Sequence, residues 1–513
     1  MIYLNYNRKW EFCKCFWRAG VSKKVLQFAP CSGGTEGRQL INHPQVNSVI
    51  LTGGTETALT MLRDNPRLNL FAETGGKNAT IVTAVSDRDQ AIKHVLHSAF
   101  SHAGQKCSAT SLLLLQDEVY DDPAFRRGLC EAAQSMKVGS AWELDTKMGP
   151  LIRPPGGDLE TALKVLEAGE EWALKPQPLE GNPCLWTPGI KYGVRPGSFT
   201  HLTEFFGPVL AVMRFTTLRE AVALVNQTGF GLTSGLESLD EREWDFWKQH
   251  IRAGNLYINR VTTGAIVLRQ PFGGMGKSVF GAGMKAGGPN YVAQFLDFSA
   301  APPGKNSGAP TKPALTTLCS GLLAKKHPEA ERIVTAALSC EAAWRDEFGK
   351  AHDHFKLVGQ DNVRRYLPFA NVRVRVHSND TTFDIFARVM AAHVAGCGVT
   401  VSRPAKFSDV SLLEELTESW AGAIEFVEET DAQLAAAIRD QQTDRVRYAA
   451  PERAPLPVLQ AGGEVGGCVV SLPVSCEGRL EMLWYLREQS VSTDYHRYGN
   501  LGVRADEKRA EVL

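Results

Sequence analysis

Residues 79–102, ATIVTAVSDRDQAIKHVLHSAFSH, join a strand pattern directly to a helix pattern. The stretch 79–85 is rich in β-branched and small residues, which predicts a buried strand. In 87–102 the apolar residues recur at helical spacing. A strand that leads into a helix with one apolar face is the repeating unit of a parallel α/β sheet.

The same alternation extends on both sides of this unit, from about residue 8 to 300. The stretch 46–52 (VNSVILT) predicts a strand that ends at Gly53 and Gly54, and 56–63 predicts a helix after it. Further helices are predicted over 122–137, 158–168 and 218–226. The first block of the chain is therefore predicted to be an α/β fold with parallel sheets.

A second block follows a segment rich in proline and glycine, 300–316 (AAPPGKNSGAPTKPALT), which predicts a linker. Beyond it, 372–376 (VRVRV) predicts a strand, 383–395 a helix and 398–402 another strand. This βαβ pattern predicts a second, Rossmann-like α/β domain.

The composition excludes several classes of function. The 513 residues contain 56 Lys and Arg against 56 Asp and Glu, and no basic run, so we expect no nucleic-acid partner. No apolar stretch is long enough to predict a membrane span, and charges near the N-terminus argue against a secretory signal, so we expect a cytoplasmic protein. The 11 cysteines are scattered, and neither Cys13-Lys14-Cys15 nor the histidines near residue 353 have the spacing of a metal site. We expect no metal.

Two residues have the chemistry of a covalent reaction. Cys107 lies in Gly104-Gln105-Lys106-Cys107-Ser108, a turn whose charge and backbone N–H groups are expected to favour the thiolate. Glu73 stands at the end of a predicted strand beside two glycines, where a carboxylate can act as a base on water. Taken alone, each has an ordinary alternative: a buried thiol and a helix-flanking acid.

Together with the segments 72–78, 98–109, 204–209 and 255–274 (NLYINRVTTGAIVLRQPFGG), these residues resemble the aldehyde dehydrogenase superfamily. The resemblance runs from about residue 18 to 298. The last segment is similar to the branch that acts on L-glutamate γ-semialdehyde, as in the C-terminal half of bifunctional proline utilization A enzymes. The second block is also similar to the C-terminal domain of the longer enzymes of that group, a catalytically silent copy of the fold.

The resemblance implies oxidation of L-glutamate γ-semialdehyde to L-glutamate, with NAD as cofactor and a thioester on Cys107 that Glu73 helps to hydrolyse. It implies four regions: 1–72, a remnant of the NAD-binding domain; 73–285, the catalytic domain; 286–316, a return segment and linker; and 317–513, the C-terminal α/β domain with its tail. The implied cofactor-binding residues are Thr52, Gly53, Gly54, Thr74, Gly75, Glu204 and Phe206. The implied substrate-binding residues are Phe100, Lys106, Ser108, Gly264, Ala265 and Phe272.

One feature of the resembling family is not found in this sequence: a Pro-Trp-Asn motif, whose asparagine stabilises the oxyanion. The sequence therefore predicts a truncated and feeble dehydrogenase. Two alternatives stay open, a dehydrogenase for another small acid semialdehyde and an inactive pseudoenzyme or interaction subunit. A homo-oligomer and a proline dehydrogenase partner are also left open.

Overall fold

The computed structural model describes residues 2–298, 308–405, 410–420 and 422–509. Short strands alternate with helices along this part of the chain, as an α/β fold requires. The strands are β1 (Val49–Thr52), β2 (Leu70–Glu73), β3 (Asn78–Val82), β4 (Thr110–Gln116), β5 (Glu171–Leu174), β6 (Gly189–Tyr192), β7 (Val209–Phe215), β8 (Thr233–Glu237), β9 (Asn255–Ile258), β10 (Val279–Phe280), β11 (Gln360–Pro368), β12 (Asn371–Arg375), β13 (Gly398–Arg403), β14 (Ile424–Glu428), β15 (Arg445–Tyr448), β16 (Cys468–Ser471) and β17 (Leu486–Asp494).

The helices cover the sheets. They are α1 (Ile2–Arg18), α2 (Glu36–Ile41), α3 (Thr55–Asp64), α4 (Arg88–Phe100), α5 (Asp117–Tyr120), α6 (Pro123–Gln134), α7 (Asp158–Lys164), α8 (Phe199–Leu202), α9 (Leu218–Gln227), α10 (Glu241–His250), α11 (Pro313–Ala324), α12 (Ala330–Ala343), α13 (Thr382–Ala395), α14 (Ser411–Leu416), α15 (Asp431–Arg439), α16 (Leu456–Val465) and α17 (Gly478–Glu481).

A nine-stranded sheet in the order β11-β17-β9-β8-β3-β4-β7-β6-β5 forms the largest layer. Its interior strands run parallel, and only the outermost pairs, β11 with β17 and β5 with β6, are antiparallel. Leu112–Leu115 of β4 are completely buried, as expected for a parallel strand covered on both faces. A separate sheet of three strands pairs β2 in parallel with β1 and antiparallel with β10.

The second block contains a parallel five-stranded sheet in the order β14-β13-β12-β15-β16. Numbered along the chain, this is the order 3-2-1-4-5 of a doubly wound sheet. The Rossmann-like expectation for this block is therefore confirmed.

Two strands of the second block, β11 and β17, are not part of the five-stranded sheet. They lie at one end of the nine-stranded sheet. β17 pairs in parallel with β9, with Ser490 opposite Asn255 and Thr493 opposite Ile258. Because this pairing joins segments far apart in sequence, no local pattern predicts it. The two blocks share one sheet, and the four domain boundaries given above stay predictions.

The predicted elements are present, with differences at their ends. The strand predicted over 46–52 begins only at Val49, and the one over 79–85 ends at Val82. The predicted linker was wrong in its last residues, because α11 begins at Pro313. Proline is well suited to the first turn of a helix, where its missing N–H is not needed. Residues 300–307 of that linker lie outside the described residues.

In the described part of the chain, no helix is both long and apolar enough to cross a membrane.

Candidate active site

The predicted catalytic residues meet where the three-stranded sheet faces the nine-stranded sheet. Glu73 is the last residue of β2. Cys107 lies in the turn that precedes β4, and Glu204 lies shortly before β7. Since β3, β4 and β7 are parallel neighbours, their amino ends lie along one edge of the large sheet. The site is thus built from the carboxyl end of one sheet and the amino edge of the other.

Asn78 holds the cysteine turn in place. Its amide nitrogen donates to the carbonyl oxygens of Cys107 at 2.7 Å and Ala109 at 2.9 Å. Its amide oxygen accepts from the backbone N–H of Thr233 at 3.0 Å. The side chain is buried, so each of these bonds replaces a contact with water. One asparagine therefore connects β3, β8 and the turn that carries Cys107.

A second set of bonds fixes the residue after the cysteine. The Ser108 carbonyl oxygen accepts from the hydroxyls of Thr262 at 3.0 Å and Thr233 at 3.3 Å. The Thr262 backbone N–H donates in turn to the Ser98 hydroxyl on α4 at 3.0 Å. Thr262 lies in the stretch TTGAIV, which the sequence marked as specific without assigning it a positioning role.

Two glycines let separate motifs approach each other. A methyl group on Gly75 would lie 1.9 Å from Glu204 Oε2, and one on Gly104 would lie 2.2 Å from the Gly207 carbonyl oxygen. Gly104 also has a φ of +67°, which favours glycine. The Glu204 carboxylate accepts from the Gly76 N–H at 3.0 Å. These close approaches bring the three predicted motifs together.

The carboxyl group of Glu73 is largely shielded from solvent. The residue is half-buried as a whole, but its Oε2 is closed off from water and has no hydrogen-bond partner among the described residues. Burial raises the pKa of Glu73 to about 8, opposed by the charge of Lys285 and a hydrogen bond from the Gly274 backbone. A carboxyl group with a pKa near neutrality is suited to proton transfer.

The electrostatic setting of Cys107 differs from the prediction. Burial raises the pKa of Cys107, and the nearby Glu73 carboxylate raises it further. Lys106 and the Ser108 backbone N–H lower the pKa, as expected from the sequence, but are outweighed. The turn itself therefore favours the thiolate, as predicted, but the pKa is raised on balance by burial and by two carboxylates around the sulfur, which the sequence does not show.

Lys77 is a buried cation that the sequence did not single out as functional. Its ammonium group lies 3.9 Å from the centre of the Phe205 ring and has no hydrogen-bond partner in the described structure. Burial lowers the pKa of Lys77 to about 7, and the Glu204 carboxylate opposes that shift. The cost of burying this ammonium group is thus offset by the face of the Phe205 ring and by the charge of Glu204.

The turn that is predicted to bind the cofactor leads into a helix whose first turn has no side-chain cap. Thr52 ends β1, and Gly53 and Gly54 lead directly into α3. Gly54 is the N-cap residue, and no side chain caps the first turn, which leaves N–H groups available to an anionic group. Thr74 lies beside this turn, since its hydroxyl and that of Thr55 donate to the same Lys277 carbonyl oxygen, at 2.7 Å and 3.0 Å. The turn fits a pyrophosphate, whereas the Thr74 hydroxyl is already in use.

The predicted substrate-binding residues have differing exposures. Phe100, the last residue of α4, is completely buried in an apolar core cluster. Phe272 is half-buried, and Gly264 and Ala265 are exposed in a loop where Gly264 has a φ of +89°. Lys106 is half-buried and Ser108 is buried on either side of the cysteine; Phe206 lies half-buried next to Gly207. Their roles toward a substrate or cofactor stay predictions.

No group of three or more metal-ligating side chains comes together among the described residues.

A model of the aldehyde dehydrogenase family matches residues 8–300. The match covers more than half of the chain, and the chain belongs to this family. The α/β fold predicted from the sequence is likewise confirmed by solved structures of the family.

Two curated relatives have more specific names than the family. The 1-pyrroline-5-carboxylate dehydrogenase of Bacillus licheniformis is 32% identical over 294 residues, which cover 55% of this chain and 56% of the relative. The bifunctional protein PutA of Escherichia coli is 36% identical over 300 residues, which cover 54% of this chain and 22% of PutA. The chain thus spans little more than half the length of the curated dehydrogenase it matches.

Among solved structures, proline utilization A from Corynebacterium freiburgense matches both blocks. It has a TM-score of 0.80 and 37% identity, and the match covers 95% of this chain and 46% of that protein. A 1-pyrroline-5-carboxylate dehydrogenase from Thermus with bound NAD has a TM-score of 0.52 and 32% identity over 56% of each chain.

Proposed function

We propose that this chain supplies the L-glutamate γ-semialdehyde dehydrogenase activity, with NAD as the hydride acceptor and Cys107 as the nucleophile. The observation that carries the proposal is the meeting of Cys107 and Glu73 at one buried junction, close enough for the charge of Glu73 to raise the pKa of the thiol. The names of the relatives support the substrate and, for the Thermus enzyme, the cofactor.

The residues divide the reaction into two steps. The Cys107 thiolate adds to the aldehyde carbon, and after oxidation the acyl group remains bound to sulfur as a thioester. Glu73 then takes a proton from water, whose oxygen attacks the thioester carbon; the carboxylate product leaves and the thiolate is restored. NAD, when bound, supplies the acceptor for the hydride. The open terminus of α3 after Gly54 is suited to its pyrophosphate, and Glu204 to the ribose hydroxyls.

Substrate choice depends on a carboxylate-binding group. Ser108 and the exposed backbone at Gly264 and Ala265 are the proposed anchor, since a hydroxyl with free N–H groups can bind a carboxylate. The cytoplasmic location, the homo-oligomer and a proline dehydrogenase partner also remain predictions.

The test is NADH formation from L-glutamate γ-semialdehyde at saturating NAD. We expect Cys107→Ala to abolish it, and Cys130→Ala, which removes another half-buried thiol, to leave it unchanged. Turnover retained in Cys107→Ala would refute the mechanism. Preference for another acid semialdehyde would refute the substrate, and calorimetry showing no NAD binding would favour an inactive protein.

A further inference from the structure

Lys285 is a completely buried lysine that the proposed reaction does not use. Its ammonium group donates to Asn255 Oδ1 at 2.6 Å and to the Gly273 carbonyl oxygen at 2.7 Å. The Gly273 N–H donates to the same Asn255 oxygen at 3.2 Å. The cation is therefore fixed at the amino end of β9 by two acceptors and has little freedom to move.

Lys285 and Glu73 approach each other on either side of Gly273. A methyl group on Gly273 would lie 3.1 Å from Glu73 Oε1 and 3.2 Å from Lys285 Cγ. Glu73 Oε2, as noted, has no hydrogen-bond partner in the described structure. The charge of Lys285 lowers the pKa of Glu73, which burial raises. A fixed cation beside a buried carboxylate favours its ionised form.

The second block of the chain supplies the counter-charge. Glu488 on β17 accepts from the Lys285 backbone N–H at 3.2 Å, and its other oxygen accepts from Asn290. Burial lowers the pKa of Lys285, and the carboxylates of Glu73 and Glu488 oppose that shift. Glu488 thus helps Lys285 to keep its proton.

We infer that Lys285 is a positioning residue that sets the protonation state of Glu73, and that Glu488 of the second block sustains its charge. The inference rests on Glu73 acting as the base of the proposed function. The groups that titrate against Glu73 are Lys285, the Cys107 thiol and the Tyr291 phenol. Among these groups Lys285 is the cation. Its replacement by a neutral residue should therefore favour the protonated form of Glu73.

The first test reads Glu73 directly, by infrared difference spectroscopy of the carboxylic C=O stretch during a pH titration. The band is assigned by its loss in Glu73→Gln. In Lys285→Met we expect the midpoint to rise by about one pH unit, and in Lys285→Arg, which keeps a cation, to return toward the original value. Lys312→Met, at a half-buried lysine just before α11, is the matched control and should leave the midpoint unchanged.

An unchanged midpoint in Lys285→Met would overturn the inference. If that variant fails to fold, Glu488→Gln tests the same step, because a less basic Lys285 should still raise the midpoint by a smaller amount; no change there would overturn the role of Glu488. The spectrum needs no turnover, so it can support the inference even when the chain proves inactive toward glutamate semialdehyde.

The second test uses the pH dependence of turnover. In Lys285→Met the acid limb of kcat should move upward by the same unit, with about tenfold lower kcat at pH 7. The initial burst of NADH should keep its amplitude, because thioester formation precedes the step that needs Glu73. A loss of burst and turnover at every pH would instead show a purely structural role and overturn the inference.

Discussion

Replacing Asn78 by alanine should loosen the cysteine turn while leaving the rest of the fold in place. The substitution removes hydrogen bonds to the carbonyl oxygens of Cys107 and Ala109 and from the N–H of Thr233. The two bonds to the turn, at about 1 kcal/mol each, together amount to about 2 kcal/mol, with the buried carbonyl oxygens left unsatisfied. Such a loss should make local opening of the turn about 30-fold more frequent.

Amide hydrogen exchange followed by mass spectrometry of the peptide that spans residues 107–110 measures this opening directly. Asn371→Ala is the control, since the exposed Asn371 amide donates to Gln442 only at 3.4 Å, and its loss should cost less than about 0.5 kcal/mol. An increase in exchange of less than about fivefold in Asn78→Ala would refute the reasoning, because it would mean that these bonds are worth less than about 1 kcal/mol in total.

Four further outcomes follow from the site. Iodoacetamide should modify Cys107 before Cys397, because Cys107 is only half-buried while burial raises the pKa of Cys397 to about 12; equal labelling on peptide mapping would contradict this. Ser108→Ala should raise KM for glutamate semialdehyde but not for a simple aliphatic aldehyde, and equal losses on both would remove the carboxylate anchor. Gly75→Ala should weaken NAD binding in calorimetry, since the added methyl group has no space beside a site carboxylate. Because burial raises the pKa of Glu73 to about 8, ionisation costs stability as the pH rises from 4.5 to about 8; Glu73→Gln should therefore stabilise the protein against urea at pH 8 and have little effect at pH 4.5.

The parts of the fold that depend on local periodicity could be predicted from the sequence. The pattern over 383–395 predicts a helix that the structure places at Thr382–Ala395, with a capping box formed by Thr381 and Asp384. The pairing of β17 with β9 could not be predicted, because it depends on residues distant in sequence and on no local signal. Strand ends were uncertain for the same reason, since a strand ends where its partner ends.

The candidate site shows the same division. Cys107 and Glu73 could be singled out because each lies in a short contiguous motif, and because several such motifs occur together in the order of the resembling family. The positioning role proposed for Lys285 and Glu488 had no sequence signal, since a buried lysine becomes informative only when its neighbours are known. The net direction of the Cys107 pKa could not be predicted for the same reason: Lys106 and the Ser108 N–H, next to it in sequence, favour the thiolate, while the burial supplied by the fold opposes it.

The two pKa values that the fold raises suggest why Glu73 and Cys107 can share one site. Two negative charges in a buried space oppose each other, so an ionised Glu73 disfavours the thiolate. In the proposed reaction, that opposition is absent while Glu73 keeps its proton, and Cys107 can ionise and attack the aldehyde. Once the sulfur is acylated it carries no charge, and Glu73 can lose its proton with Lys285 beside it. In this sequence the base is favoured at the step in which water must attack, because the thiolate charge that opposed its ionisation is gone once the sulfur is acylated.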